Sequence, residues 1–150
     1  MSVRIANTSD IPYIVHLCKE ALEESGIEYS EKYLFKKIVN SYHLAPCFLY
    51  EKDGNIEGLA GFTTAINAYS GKAIMSEYMF YIRDKHRNIE SLRGLVDAAK
   101  DFALDNNMDL RVEFIVVDDL QKRKRLLEHF GFKVTGLVGV VKWEKAAAEV

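Results

Sequence analysis

Apolar positions along the chain change period several times, and the changes divide it into elements. Val3 to Ala6 reads as a short strand. The set Ile11, Ile14, Val15, Cys18, Ala21 and Leu22 then repeats at the i, i+3, i+4, i+7 spacing of one helix face. Thr8 or Ser9 can cap that helix, Pro12 falls in its first turn, and Gly26 ends it. A second helix follows Ser30, with the stripe Leu34, Phe35, Ile38, Val39 and Tyr42. Cys47 to Lys52 and Ile56 to about Ile66 read as strands joined by the turn Asp53-Gly54-Asn55, whose residues tolerate positive φ. The polar, glycine-containing stretch Asn67 to Lys72 reads as a loop, and Ala73 to Ile82 as a third long strand rich in aromatic residues.

After the charged connection Asp84 to Asn88, a helix is expected from about Ile89 to Asn106, with Leu92, Leu95, Val96, Ala99, Phe102 and Ala103 on its apolar face. Leu110 to Val117 reads as a strand, with Leu110, Val112, Phe114 and Val116 on one face and Arg111, Glu113, Ile115 and Val117 on the other. A basic amphipathic helix from about Asp119 to Phe130 stops at Gly131, and Phe132 to Thr135 and Val138 to Trp143 read as a closing pair of strands. The order β-α-α-β-β-β-α-β-α-β-β predicts an α/β (α+β) mixed sheet with helices on its faces. The strand–helix–strand unit from Ala73 to Val117 predicts parallel neighbours. One domain is expected over residues 1–145, with 146–150 as a tail.

Composition narrows the function classes. The 150 residues are 49% hydrophobic and 28% charged, so a packed core is expected and intrinsic disorder is excluded as the main state. Lys and Arg total 20 against 22 Asp and Glu, and the net charge of -2 argues against a dedicated nucleic-acid binder. No apolar run approaches a membrane span, and Met1 to Ile5 shows no secretion signal. Cys18 and Cys47 lack metal-ligand spacing and read as buried thiols in a reducing cytoplasm; His16, His43, His86 and His129 are scattered, so no metal site is expected.

Four stretches, in this order and spacing, resemble the GNAT family of acyl-CoA-dependent N-acetyltransferases over nearly the whole chain. The opening Arg4-Ile5-Ala6-Asn7-Thr8-Ser9-Asp10 is similar to that family's (I/V)R-x-A-x-x-x-D start. Ile82-Arg83-Asp84-Lys85-His86-Arg87 is similar to V-x-P-x-Y-R at the end of the fourth strand, and a helix follows at once. Leu126-Leu127-Glu128-His129-Phe130-Gly131-Phe132 is similar to (F/L)-Y-E-K-x-G-F. The departures are specific. Glu90 and Leu92 stand where the family's R-x-x-G-x-G loop has glycines, Leu127 where it has a tyrosine, and Leu120 where it has an asparagine, with Asp118 and Asp119 nearby.

The resemblance implies acetyl-CoA as acyl donor. Its pantetheine arm would bond to backbone at Phe80, Tyr81 and Ile82. Its pyrophosphate would lie at the helix start formed by Arg87, Asn88, Ile89, Glu90, Ser91, Leu92 and Arg93. A helix N-terminus does offer free N–H groups and a favourable dipole to anions, and Arg83, Lys85, Arg87 and Arg93 add charge; Glu90 opposes this by bulk and charge. The other reading of this stretch is a capped, solvated helix start. Glu77 is the candidate base for the acceptor amine, placed five residues before Ile82 where the family often has one, and grouped by alternation with Met75, Met79 and Tyr81. The alternative for Glu77 is a solvated or ion-paired strand carboxylate. Glu113 is the second choice, and Asp118 and Asp119 read first as helix caps. Leu127 cannot protonate the leaving thiolate; Tyr78, Tyr81 and His129 are the groups left to consider.

The expected activity is cytoplasmic transfer of acetyl from acetyl-CoA to a primary amine. The alternative is a catalytically weak or inactive GNAT-like domain that binds CoA or a protein partner. A nucleic-acid module using Lys122, Arg123, Lys124 and Arg125 is a third reading, opposed by the net charge. A homodimer through the closing strands, covering Trp143, is also expected.

Overall fold

The computed structural model describes residues 2–117, 119–136 and 141. The elements, in chain order, are β1 (Ser2–Ile5), α1 (Ile11–Glu24), α2 (Glu31–Tyr42), β2 (Cys47–Lys52), β3 (Asn55–Ile66), β4 (Ala73–Ile82), α3 (Ile89–Asp105), β5 (Asp109–Arg111) and α4 (Leu120–His129). Short 3-10 turns precede α1 at Thr8–Asp10 and α3 at Asp84–His86. The strands form one sheet in the order β1-β2-β3-β4-β5. The first four are antiparallel, and β5 runs parallel to β4, as the strand–helix–strand unit requires.

Each sheet face carries its own core. Phe48, Phe62, Met75, Phe80 and Ile82 pack with Leu95, Val96, Ala99 and Ala103 of α3 and Leu127 of α4. Leu49, Leu59, Met79 and Tyr81 pack with Ile14, Leu17, Cys18 and Ala21 of α1 and Ile38 of α2. The α2 stripe is only partly covered: Ile38 is fully buried, whereas Phe35 is 52% exposed. At the other end of the sheet, Arg4 clamps the chain entry. Its guanidinium donates to both Asp10 oxygens at 2.7 and 2.9 Å and to Glu51 at 2.7 Å. That pairing holds the Asp10 carboxyl below the usual carboxylate range.

Four readings from the sequence are corrected. The cap before α1 is Asn7, not Thr8 or Ser9; its side chain accepts from Ser9 N–H while Asp10 accepts from Asn7 N–H. The expected strand Leu110 to Val117 ends at Arg111, because Phe114 adopts φ 49° and breaks the extended run. Phe132 to Thr135 forms no strand. Phe132 N–H instead closes the end of α4 on the Leu127 carbonyl, with Gly131 at φ 83°. The fourth concerns β4 and is developed below. The strand expected over Val138 to Trp143, the dimer contact at Trp143, Asp118 and the 146–150 tail lie outside the described residues, Val141 apart. No helix among the described residues is long and apolar enough to cross a membrane.

Candidate active site

The site starts from a break in sheet pairing. Parallel pairing of β5 with β4 covers only Ile74, Met75 and Ser76. Beyond Ser76 the strands part, so the edge of β4 from Glu77 to Ile82 that faces away from β3 has no strand partner among the described residues. Backbone groups on this edge are therefore open to an extended ligand, the Ile82 carbonyl excepted, which accepts from Arg87 Nε at 2.9 Å. This is the stretch holding Phe80, Tyr81 and Ile82.

A β-bulge lies at the same place. Glu77 opposes Phe62 and Met79 opposes Gly61, leaving Tyr78 as the extra residue. The bulge reverses the alternation expected for β4. Met75 packs on the α3–α4 side, and Glu77 shares the face of its partner Phe62 there, while Met79 and Tyr81 pack on the α1–α2 side. Glu77 therefore does not group with Met79 and Tyr81, and it faces neither solvent nor an ion pair. It is 9% exposed. Its Oε1 accepts from Phe114 N–H at 3.2 Å, and its Oε2 is buried without a partner. Burial pushes the Glu77 carboxyl up to about 7, against the opposing pull of backbone N–H groups at Phe114 and Ile115. Glu113, the second-choice base, is exposed.

The start of α3 is built as a capping box. Asn88 accepts from Ser91 N–H at 2.9 Å, and Asn88 N–H donates to Ser91 Oγ at 3.1 Å. Ser91 Oγ also donates to the His86 carbonyl at 2.8 Å, which folds the preceding turn onto the helix. The N–H groups of Ile89 and Glu90 remain without a partner among the described residues. Glu90 is exposed, and Leu92 packs against the core. Arg93 reaches His129 Nε2 at 3.1 Å rather than the helix start.

Two of the expected cations are engaged by α1. Arg87 donates to Glu24 at 3.0 Å and to the Ile82 carbonyl at 2.9 Å, with its guanidinium 5.6 Å over the Tyr81 ring. Arg83 donates to Glu20 at 2.9 and 3.2 Å and lies 3.5 Å from Glu57. Tyr81 donates its hydroxyl to Glu24 at 2.6 Å and to Glu20 at 3.2 Å. The Arg83 pair lowers the Glu20 carboxyl, the Tyr81 hydroxyl lowers that of Glu24, and burial raises the Tyr81 phenol. Reading the sequence missed these two carboxylates. Their only signal is the four-residue spacing that sets both on one face of α1. Tyr81 is thereby tied to α1, and Tyr78 lies on the α1–α2 side of the sheet, so neither phenol stands beside Glu77. Leu127, at the tyrosine position, is core. Asp119 caps α4 by accepting from Gln121 and Lys122 N–H, and Arg123 closes onto the Val117 carbonyl. That contact takes one member of the basic run into the fold.

A groove of about 360 Å³ lies elsewhere, between α1 and the start of β3, lined by Tyr13, His16, Leu17, Asn55, Ile56, Glu57 and Arg83. Of the residues expected at the donor site, Arg83 alone lines it. Among the described residues no cluster of His, Cys, Asp and Glu could hold a metal ion.

Solved structures share the architecture. A predicted acetyltransferase with acetyl-CoA from Clostridium acetobutylicum superimposes with a TM-score of 0.74 at 19% identity, over 94% of this chain and 95% of that one. The apo aminoglycoside antibiotic 6′-N-acetyltransferase of Acinetobacter haemolyticus gives 0.73 at 13% identity, over 97% and 100%. The ribosomal-protein-alanine N-acetyltransferase of Brucella melitensis gives 0.70 at 14%, over 95% and 100%. At these identities the likeness is one of fold. No curated protein sequence matches the chain. The sequence itself matches the family model for an acetyltransferase (GNAT) domain over residues 3–141, which include the forked sheet, its bulge and the capped α3, and on that match the chain belongs to the GNAT family of N-acetyltransferases.

Proposed function

We propose that the protein transfers the acetyl group of acetyl-CoA directly to a primary amine, with Glu77 as the general base. The observation behind this reading is the fork. An unpaired strand edge and a buried carboxyl held near neutral pH meet where β5 leaves β4. The residues fit the donor. Backbone groups of Phe80, Tyr81 and Ile82 offer an extended edge to an amide-bearing arm. The N–H groups of Ile89 and Glu90, without a partner among the described residues, lie at a helix start, where anions are favoured. Arg87, held by Glu24 and the Ile82 carbonyl, precedes that start, Arg93 turns to His129, and Asn88 and Ser91 hold its shape.

The acetyl thioester supplies an activated acyl carbon. The acceptor nitrogen forms a bond to that carbon, the carbon–sulfur bond breaks, and CoA leaves as a thiolate. The proton lost by the nitrogen passes to Glu77, directly or through one water. A carboxyl near 7 is suited to this task, because at neutral pH it is substantially ionised yet basic enough to take a proton. The thiolate, with an ordinary thiol pKa of about 8.5, departs without an acid.

One observation favours the second reading, a domain that binds CoA with little or no turnover. The glycine loop is replaced by an internally bonded cap, and the leaving-group tyrosine by a core leucine. Calorimetric titration with acetyl-CoA and with CoA, followed by thiol release over a panel of primary amines, separates the two. Micromolar binding lost in Arg87→Ala plus Arg93→Ala, together with amine-dependent thiol release, supports the transferase. Binding without release for any amine supports the second reading. No binding at millimolar donor refutes both.

A further inference from the structure

The bulge that places Glu77 is held by a small buried assembly on the opposite face of the sheet. Gly61 pairs with Cys47 on one side and Met79 on the other, and all three lie on the α1–α2 side. The Tyr78 ring lies directly over Gly61: a Cβ at that position would sit 2.4 Å from Tyr78 Cζ and 2.6 Å from its hydroxyl. Burial pushes the Tyr78 phenol up and the Cys47 thiol to about 12. Both groups therefore stay neutral, and the ring is held by packing on Gly61 rather than by an ion pair.

The register shows what this assembly does. Continued without a bulge from the Gly61–Met79 pair, β4 would set Glu77 opposite Thr63, on the α1–α2 side with Met79 and Tyr81. The extra residue turns Glu77 to the other face, opposite Phe62 and against Phe114 N–H at the fork. An extra residue in a strand needs somewhere to put its side chain, and here the missing Cβ of Gly61 provides it.

We propose that Tyr78 is a positioning residue: its ring, seated on Gly61, locks the β4 bulge that directs Glu77 into the fork. Its catalytic consequence rests on the reading of Glu77 as the base. The placement of Glu77 does not, so the two can fail separately.

The test is carboxyl-carbon NMR of glutamate-labelled protein, with the Glu77 signal assigned by its loss in Glu77→Gln. In the unsubstituted protein Glu77 is expected to titrate at about 7. In Tyr78→Leu, which leaves the seat on Gly61 unfilled, the midpoint is expected to fall by at least about one pH unit as the carboxyl leaves its buried place. Tyr78→Phe keeps the ring on Gly61 and is expected to keep the midpoint within about half a unit. If Tyr78→Leu does not fold, Gly61→Ala gives the same readout, since its new methyl must push the ring aside. A Glu77 midpoint unchanged in Tyr78→Leu or Gly61→Ala, even with lowered thermal stability, overturns the proposal, because that is what a merely structural tyrosine would do. Normal thiol release by Glu77→Gln alongside a moved midpoint in Tyr78→Leu would remove the base and leave the positioning role standing.

Discussion

Replacing Glu77 by glutamine separates the two demands placed on that side chain, stability and proton transfer. In the fold the carboxyl is held at about 7, against 4.5 for an unperturbed glutamate, with burial as the main cause. Between those values the folded state binds more protons than the unfolded state, so folding stability falls as pH rises through the interval. The loss is complete above the folded value and amounts to roughly 3 kcal/mol. Glutamine cannot ionise, so the variant lacks this loss. It has its own cost, since an amide N–H₂ replaces or joins the unpartnered Oε2; that is about 1–3 kcal/mol and independent of pH. Melting curves of both proteins from pH 4 to 8 should therefore diverge, with the variant gaining on the original protein by roughly 6–12 °C across the range. Thiol release in the variant should fall by about a hundredfold or more at pH 7 if the carboxylate takes the proton. Parallel melting curves would refute the burial argument. Diverging curves with undiminished turnover would leave Glu77 buried and titrating near neutrality but remove it from the reaction.

Other substitutions test how the site is supported. Ile38→Ala should cost about 2–4 kcal/mol in urea unfolding and specifically raise hydrogen exchange in α2, because Ile38 is the only fully buried apolar residue of that helix. Gly58→Ala should destabilise by about 1–3 kcal/mol, since its Cβ would meet the Tyr81 carbonyl at 2.8 Å, a backbone atom that cannot swing away. Asn88→Ala should lower stability by about 1 kcal/mol. It also frees Ser91 N–H, so CoA affinity measured by calorimetry should hold or improve, whereas a tenfold loss would mean that the cap geometry itself forms the phosphate seat.

Much of the fold was legible because local signals and tertiary structure agree. The β2–β3 hairpin is announced by Asp53-Gly54, with φ values of 52° and 80°, and β4 occupies its expected residues. Helices α1, α3 and α4 follow their stripes and stop at or just before glycine or asparagine. The misreadings have a common cause. In β4, seven of ten residues are buried, on both faces, so no hydrophobic alternation remains to show a shift in parity. The extra residue is visible only through its partner, a glycine in the middle of β3, which is a weak cue on its own. At Phe114 the backbone takes a left-handed conformation that its side chain does not favour, held by a hydrogen bond to a residue 37 positions away. Nothing local to Leu110–Val117 encodes that.

The same two features explain why Glu77 could be named from the sequence while its surroundings could not. The family resemblance nominates it, five residues before Ile82 on β4, where that family often has its base. Which face it takes depends on Tyr78 fitting over Gly61, and how strongly it holds its proton depends on Phe114 supplying an N–H while closing off solvent. Both are long-range contacts that compensate for a local irregularity: a bulge in one strand and a positive φ after the next. Strain of this kind persists only where surrounding structure over-determines it. Here the two irregularities are joined, where β4 and β5 part, by the hydrogen bond from Phe114 N–H to Glu77. The face that Glu77 takes and the hydrogen bond it receives thus depend on both irregularities, so a substitution that removes the bulge should take the carboxyl away from Phe114 N–H and lower its titration midpoint.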